Sequence, residues 1–358
     1  MHTLLFGGEQ GWHIAYASLP AAAASFPQRG TGMNRRSFIK QAAVASAAVA
    51  NTAIWAGKAQ ADQSARAYTG HKQAGYYWLK IGEYDVAALS DGTLNSNGRI
   101  LNGQPGQVEK LLEESHAPTP RVTSVNSFLI LMGERRILVD AGTGQLLGPT
   151  LDKLPTSLES AGFAAEQITD ILLTHIHADH SGGLTAGGKR VFPNATVHVN
   201  DVEADFWLSP VNQDKATDKR KWSFVQADKA LAPYVSAGKV SRFKGGNMVL
   251  PGISSINAPG HTPGHTFFAL ESRGEKLVFF GDTVHVGEVQ FPSPELAIEY
   301  DIDPDGAVEQ RRKAFAEASE EGYLVAGAHI SFPGIGHVAK AATGYRWIPI
   351  PYVNDSHA

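Results

Sequence analysis

The sequence predicts an α/β layered fold, and three observations carry that expectation. Apolar runs of strand length recur along the chain, helical stretches alternate with them, and several runs end in Gly or Asp. The strand-like runs are Ser127 to Met132, Arg136 to Asp140, Ile168 to Thr174, Ala195 to Val199, Thr266 to Leu270, Lys276 to Gly281 and Tyr323 to Ala328. Between them lie helical stretches at Leu151 to Ala161, Val202 to Trp207, Phe224 to Ala237 and Ala307 to Glu320. In the last of these, Val308, Phe315 and Ala318 share roughly one face. A hydrophobic fraction of 43% and a charged fraction of 18% over 358 residues supply enough apolar side chain for a sizeable core. No linker or repeat interrupts residues 62–358, which are expected to form one domain.

The N-terminal segment reads differently. Asn34-Arg35-Arg36-Ser37-Phe38-Ile39-Lys40 precedes an Ala-rich apolar run from Gln41 to Trp55, and Ala59-Gln60-Ala61 follows with small residues at the outer positions. Charge, apolar run and cleavage pattern in that order resemble a twin-arginine export signal, with a start at Met33 and a mature chain from Asp62. The apolar run is too short to span a bilayer. Residues 1–61 are therefore read as leader and signal peptide, and the mature protein as periplasmic or secreted, off the membrane once the signal is cleaved.

A net charge of -4 provides no broad positive field for nucleic acid or anionic lipid. The only local basic cluster, Lys215, Lys219, Arg220 and Lys221, reads as a solvated loop. With no cysteine, thiolate nucleophiles and Cys-ligated zinc are excluded, so any metal must sit on imidazole and carboxylate.

Immediately after the run Ile171-Leu172-Leu173-Thr174 comes His175-Ile176-His177-Ala178-Asp179-His180-Ser181-Gly182-Gly183, four ligand-type side chains in six positions. Such a loop at a strand end lets neighbouring residues face two adjacent ions. His261 follows the strand-like Ile253 to Ile256, Asp282 follows Leu277 to Phe280, and His329 follows Leu324-Val325-Ala326. Seven ligand-type residues at strand ends read as a centre for two divalent ions, with zinc favoured and iron, manganese or cobalt as alternatives. His265 is read as supporting its loop, and Asp140 either as a support for a ligand or as a simple turn residue.

This motif series resembles the metallo-β-lactamase superfamily across nearly all of the mature chain, which implies an αββα sandwich. Glu203-Ala204-Asp205-Phe206-Trp207-Leu208-Ser209 and Ser331-Phe332-Pro333-Gly334-Ile335-Gly336-His337 further resemble the subgroup that contains methyl parathion hydrolase and related exported lactonases. The resemblance implies that His175, His177 and His261 hold one metal and that Asp179, His180 and His329 hold the other. Asp282 and a hydroxide would bridge them, and a homodimer is implied.

Two-metal chemistry then predicts hydrolysis, with Asp282 and Asp179 as catalytic carboxylates and Asp179 or a nearby His returning a proton. His285, three residues past Asp282, is expected to donate to a substrate oxygen, or else to bond a loop carbonyl. By resemblance to the superfamily's lactonases, which carry a hydroxyl donor at the matching place, a donor there implies a lactone or activated aryl ester over an organophosphate triester. A mono-iron persulfide dioxygenase keeps a compatible ligand set and is the third reading. Leu146, Leu147, Trp207, Trp222, Phe224, Phe291 and Tyr300 are the expected pocket wall, fitting a small apolar or aromatic substrate.

Overall fold

The computed structural model describes residues 73–96, 100–117 and 120–354. The twin-arginine segment, Met33 and the cleavage site before Asp62 lie outside the described residues.

The apolar runs assemble into two seven-stranded sheets. The first contains β1 (Tyr76–Ile81), β2 (Tyr84–Ser96), β3 (Arg121–Met132), β4 (Arg135–Val139) and β5 (Asp170–Leu172). After a separate two-stranded ribbon of β6 (Thr185–Ala186) and β7 (Lys189–Arg190), it is completed by β8 (Thr196–Asn200) and β9 (Val240–Phe243). The second sheet runs in order through β10 (Met248–Leu250), β11 (Ile253–Asn257), β12 (Thr266–Ser272), β13 (Glu275–Phe279), β14 (Leu324–Ala326), β15 (Ile335–Lys340) and β16 (Tyr345–Pro349). β1 to β4 are antiparallel, whereas β4, β5, β8 and β9 are parallel. In the second sheet only β13 and β14 pair in parallel.

Alternation along the strands explains the layering. On β3 Phe128 and Ile130 face the second sheet, while Leu129 belongs to the outer core that also holds Leu158, Phe224 and Leu231 of the helices. On β13 Leu277 and Phe279 enter the inter-sheet core, and Val278 and the following Phe280 meet Phe315 and Ala318 of the helix Pro304–Glu321. Both faces of each sheet are thus covered, which is why these strands read as continuous apolar runs. The result is an αββα sandwich.

Every expected strand and helix is present, with shifted ends. The helix around Phe224 starts earlier, at Asp218, and the last helix is capped by the Asp303 side chain on the Gly306 amide and ended by Gly322 in the left-handed region. Its buried face is Ala307, Arg311, Ala314, Phe315 and Ala318, while Val308 is only half-buried. Strands β1, β2, β9, β10, β15 and β16 and the helix Gln107–Glu114 were not anticipated. Among the described residues no helix is long and apolar enough to cross a membrane.

Candidate metal centre

The parallel pairs β4–β5 and β13–β14 deliver their carboxyl ends to one edge of the sandwich, where chain leaving a strand carries free side chains. His175 to His180 follow β5, His261 follows β11, Asp282 follows β13 and His329 follows β14. Backbone bonds tie these loops across the two sheets: the Thr266 amide donates to Thr174 O at 2.9 Å, and the Asn126 amide to Ala328 O at 2.9 Å. Two glycines permit the close approach. Gly281 has φ +49°, and a Cβ there would lie 2.6 Å from His265 Nε2; at Gly260, φ +140°, a Cβ would meet the Ala307 backbone nitrogen at 2.2 Å.

The seven expected ligand residues come together as two groups of four, because Asp282 belongs to both. In the first, the Nε2 atoms of His175 and His261 each lie 3.0 Å from His177 Nδ1. Asp282 Oδ2 completes it, 3.2 Å from His261 Nε2 and 3.6 Å from His175 Nε2. In the second, Asp282 Oδ1 lies 3.0 Å from His180 Nε2 and 3.2 Å from His329 Nε2, and Asp179 Oδ2 lies 3.2 Å from His329 Nε2.

Three imidazole nitrogens aimed at one another cannot all be satisfied by protons. Zinc–nitrogen bonds in tetrahedral geometry put ligand nitrogens about 3.3 Å apart, close to the spacing found. His180 Nε2 and Asp282 Oδ1 are buried without a hydrogen-bond partner, a costly state that an ion between them would relieve. The donor set and its spacing fit two divalent cations.

The electrostatics agree. Burial, with His261 adding to it, pushes His177 down to about 3, and burial also holds His175 well below its ordinary value. Burial opposes charge on His261 and His329 too, but there the carboxylates win: Asp282 and Asp301 raise His261 to about 9, and Asp282 and Asp179 raise His329 to about 10. Burial likewise works against ionised Asp282 and Asp179, yet His180 and its neighbours hold both carboxyls low. The buried carboxylates are balanced by rings driven toward the charged form, and a cation bound among them would displace those protons.

Three of the rings are oriented from behind. His180 Nδ1 bonds Asp140 Oδ2 at 2.8 Å, His261 Nδ1 bonds Asp301 Oδ1 at 2.8 Å, and His329 Nδ1 donates to Ser124 O at 3.0 Å. Asp140, at φ 61°, also accepts from the Thr174 amide at 2.8 Å, so it supports a ligand instead of serving as a simple turn residue. His265 accepts from the Asp282 amide at 3.1 Å and donates to Ala258 O at 3.2 Å, a loop support as expected. Asp301 and Glu203 were not anticipated in these roles. Buried Glu203 accepts from the Ile176 and Gly264 amides, Thr262 Oγ1 and Trp207 Nε1, joining the loop of His175 to that of His261.

His285 bonds no loop carbonyl through its ring. Its Nε2 sits 3.0 Å from Asp282 Oδ2, its ring stacks on His329 at 5.2 Å, and its Nδ1 is buried without a partner. A cavity of about 410 Å³ opens over both groups, lined by His177, Asp179, His261, Asp282, His285 and His329 at its floor. Leu147, Trp207, Trp222 and Tyr300 form part of its wall, as expected.

Phe224, Phe291 and Leu146 do not line it. Phe224 is buried against Trp207 at 4.7 Å, and Phe291 stacks between Phe315 and Trp347, so both are core. The basic cluster also needs correction: Lys219 and Arg220 begin a helix and line the cavity, Lys219 paired with Glu299 at 3.1 Å and Arg220 donating to Asp301 O at 3.0 Å.

Residues 120–329 match the model of the metallo-beta-lactamase superfamily. The solved structure of hydrolase AbOPH in the beta lactamase superfamily is 39% identical, with a TM-score of 0.76 over 79% of this chain and 100% of that one. AidC, a dizinc quorum-quenching lactonase in complex with a product, N-hexanoyl-L-homoserine, is 27% identical, with a TM-score of 0.72 over 78% of this chain and 99% of that one. The atrochrysone carboxyl ACP thioesterase of Aspergillus fumigatus is 26% identical over 52% of this chain and 44% of its own length. The chain spans less than half the length of the curated relatives it matches. By sequence match, sandwich architecture and the ligand-type residues at its edge, the chain belongs to the metallo-beta-lactamase superfamily.

Proposed function

We propose that this chain is a two-metal hydrolase that opens lactones or cleaves activated aryl esters. The observation that carries this reading is Asp282, whose two carboxylate oxygens each face a separate group of ligand atoms beneath a cavity of about 410 Å³. Two divalent ions held there would supply an activated water and polarise the bond under attack. The protein's own residues do the rest. Asp282 offsets charge between the two positions, and the aromatic wall of Trp207, Trp222 and Tyr300 holds an apolar acyl or aryl group over them. Asp179 is the more exposed of the two carboxylates and is kept ionised by His180 and His329; with Oδ2 turned to the ligand group, its other oxygen would take the proton and pass it to the leaving oxygen.

Support for the ester and lactone side comes from the dizinc lactonase of 27% identity and from the thioesterase among the relatives, whose names give a lactone and a thioester as what they act on. A phosphotriester is the second reading, favoured by the same apolar wall. The deciding experiment compares rates of metal-analysed enzyme on an aryl lactone, a long-chain homoserine lactone, an aryl ester and a phosphotriester, with His285→Leu alongside. Lactone or ester should lead, and His285→Leu should lower their kcat by about tenfold or more while phosphotriester turnover holds. A phosphotriester turned over faster than every acyl substrate would overturn the reading.

A further inference from the structure

We propose that Arg121 is a positioning residue for His285, acting through the loop that carries it; the inference rests on the hydrolase reading above. The His285 ring makes one side-chain hydrogen bond, to Asp282, and its Nδ1 has no partner. The ring is held by that bond and by its stack on His329, and both depend on where the backbone places the residue.

That backbone is gripped at both ends of the residue. Gln290 Oε1 accepts from the His285 amide at 2.8 Å and the Val286 amide at 3.1 Å. On the other side, Arg121 Nη1 donates to His285 O at 3.4 Å and to Thr123 Oγ1 at 3.0 Å. The same guanidinium anchors the short helix Gly287–Gln290, its Nε donating to Glu288 Oε2 at 2.8 Å and Nη2 to Glu288 Oε1 at 3.3 Å.

Arg121 belongs to β3 in the first sheet, whereas His285 follows β13 in the second, so this side chain joins the two halves of the sandwich beside the cavity. It also fixes Thr123, which lines the cavity and bonds Ser96 at 2.8 Å. The Arg121 side chain is only 5% exposed. Burying a guanidinium is costly unless its donors are met, and here they are met by a fork on one carboxylate and by the two groups that set the cavity wall and the His285 loop.

The test is a double-mutant cycle on the metal-loaded enzyme with the best acyl substrate. Arg121→Gln should lower kcat about tenfold with KM and metal content little changed, and Arg121→Lys should recover part of the loss. In the His285→Leu background Arg121→Gln should cost less than about twofold further, because its effect runs through the missing ring. Losses that multiply in full would overturn the inference while leaving the hydrolase reading intact. His285→Leu without loss would remove the role of His285 itself, and with it any role for Arg121 in placing it. Should Arg121→Gln fail to fold, Glu288→Gln releases the same anchor from the more exposed side and must show the same dependence on His285.

Discussion

The two halves of the ligand set share Asp282 but are built on opposite charge balances. The half made by His175, His177 and His261 has three imidazoles and one carboxylate oxygen, and burial keeps two of its rings neutral. The half made by Asp179, His180 and His329 has two carboxylates, and both of its rings are driven toward the charged form. An ion in the first half would keep more of its positive charge and polarise a substrate oxygen more strongly; an ion in the second would be more fully neutralised and more firmly held. The fold thus makes two unlike positions from one constellation.

The sharpest way to break that distinction is to loosen one half at a time. Asp301 braces His261 in the first half and Asp140 braces His180 in the second, each at 2.8 Å. Asp301→Asn should weaken the first ion, and Asp140→Asn the second, by about 10- to 100-fold in affinity, read by metal titration against a chelator. Equal loss of both ions in each variant would show that the halves do not act separately.

A smaller and more general effect comes from pH. The rings must be neutral to bind, and His261 is raised to about 9 and His329 to about 10, so loading would expel protons from both at neutral pH. Apparent affinity should therefore fall as pH falls, by about tenfold per pH unit for each proton displaced. One raised ring in the first half against two in the second predicts a steeper slope for the second ion. Equal slopes would argue against the contrast in charge.

Much of the centre was legible in the sequence because its ligands are adjacent in the chain or stand just beyond apolar runs, and chain order then mirrors spatial order. The supports were harder to see. Asp301 follows no strand, and the partner of His329 is the Ser124 carbonyl, which no side-chain pattern advertises. Arg311 lies buried on a helix face that otherwise reads as apolar, donating to the carbonyls of Thr283, Pro294 and Leu296. Pocket membership failed for a geometric reason. Trp222 and Phe224 are two residues apart on one helix, about 200° around its axis, so one meets the cavity and the other the core. Lys219 and Arg220, in the first turn of the same helix, also reach the cavity wall, with Lys219 still largely in solvent. Strands β15 and β16 carry Gly, His, Lys and Arg among their apolar residues, which breaks the run that marks a buried strand.

The central claim is that Asp282 holds two ions at once, and the most direct measurement is the metal content of Asp282→Asn beside the parent protein. About two ions per chain are expected in the parent, with occupancy and hydrolytic rate lost together in the variant because one neutral amide cannot offset two adjacent cations. An Asp282→Asn protein that retained both ions and the full rate would contradict the account.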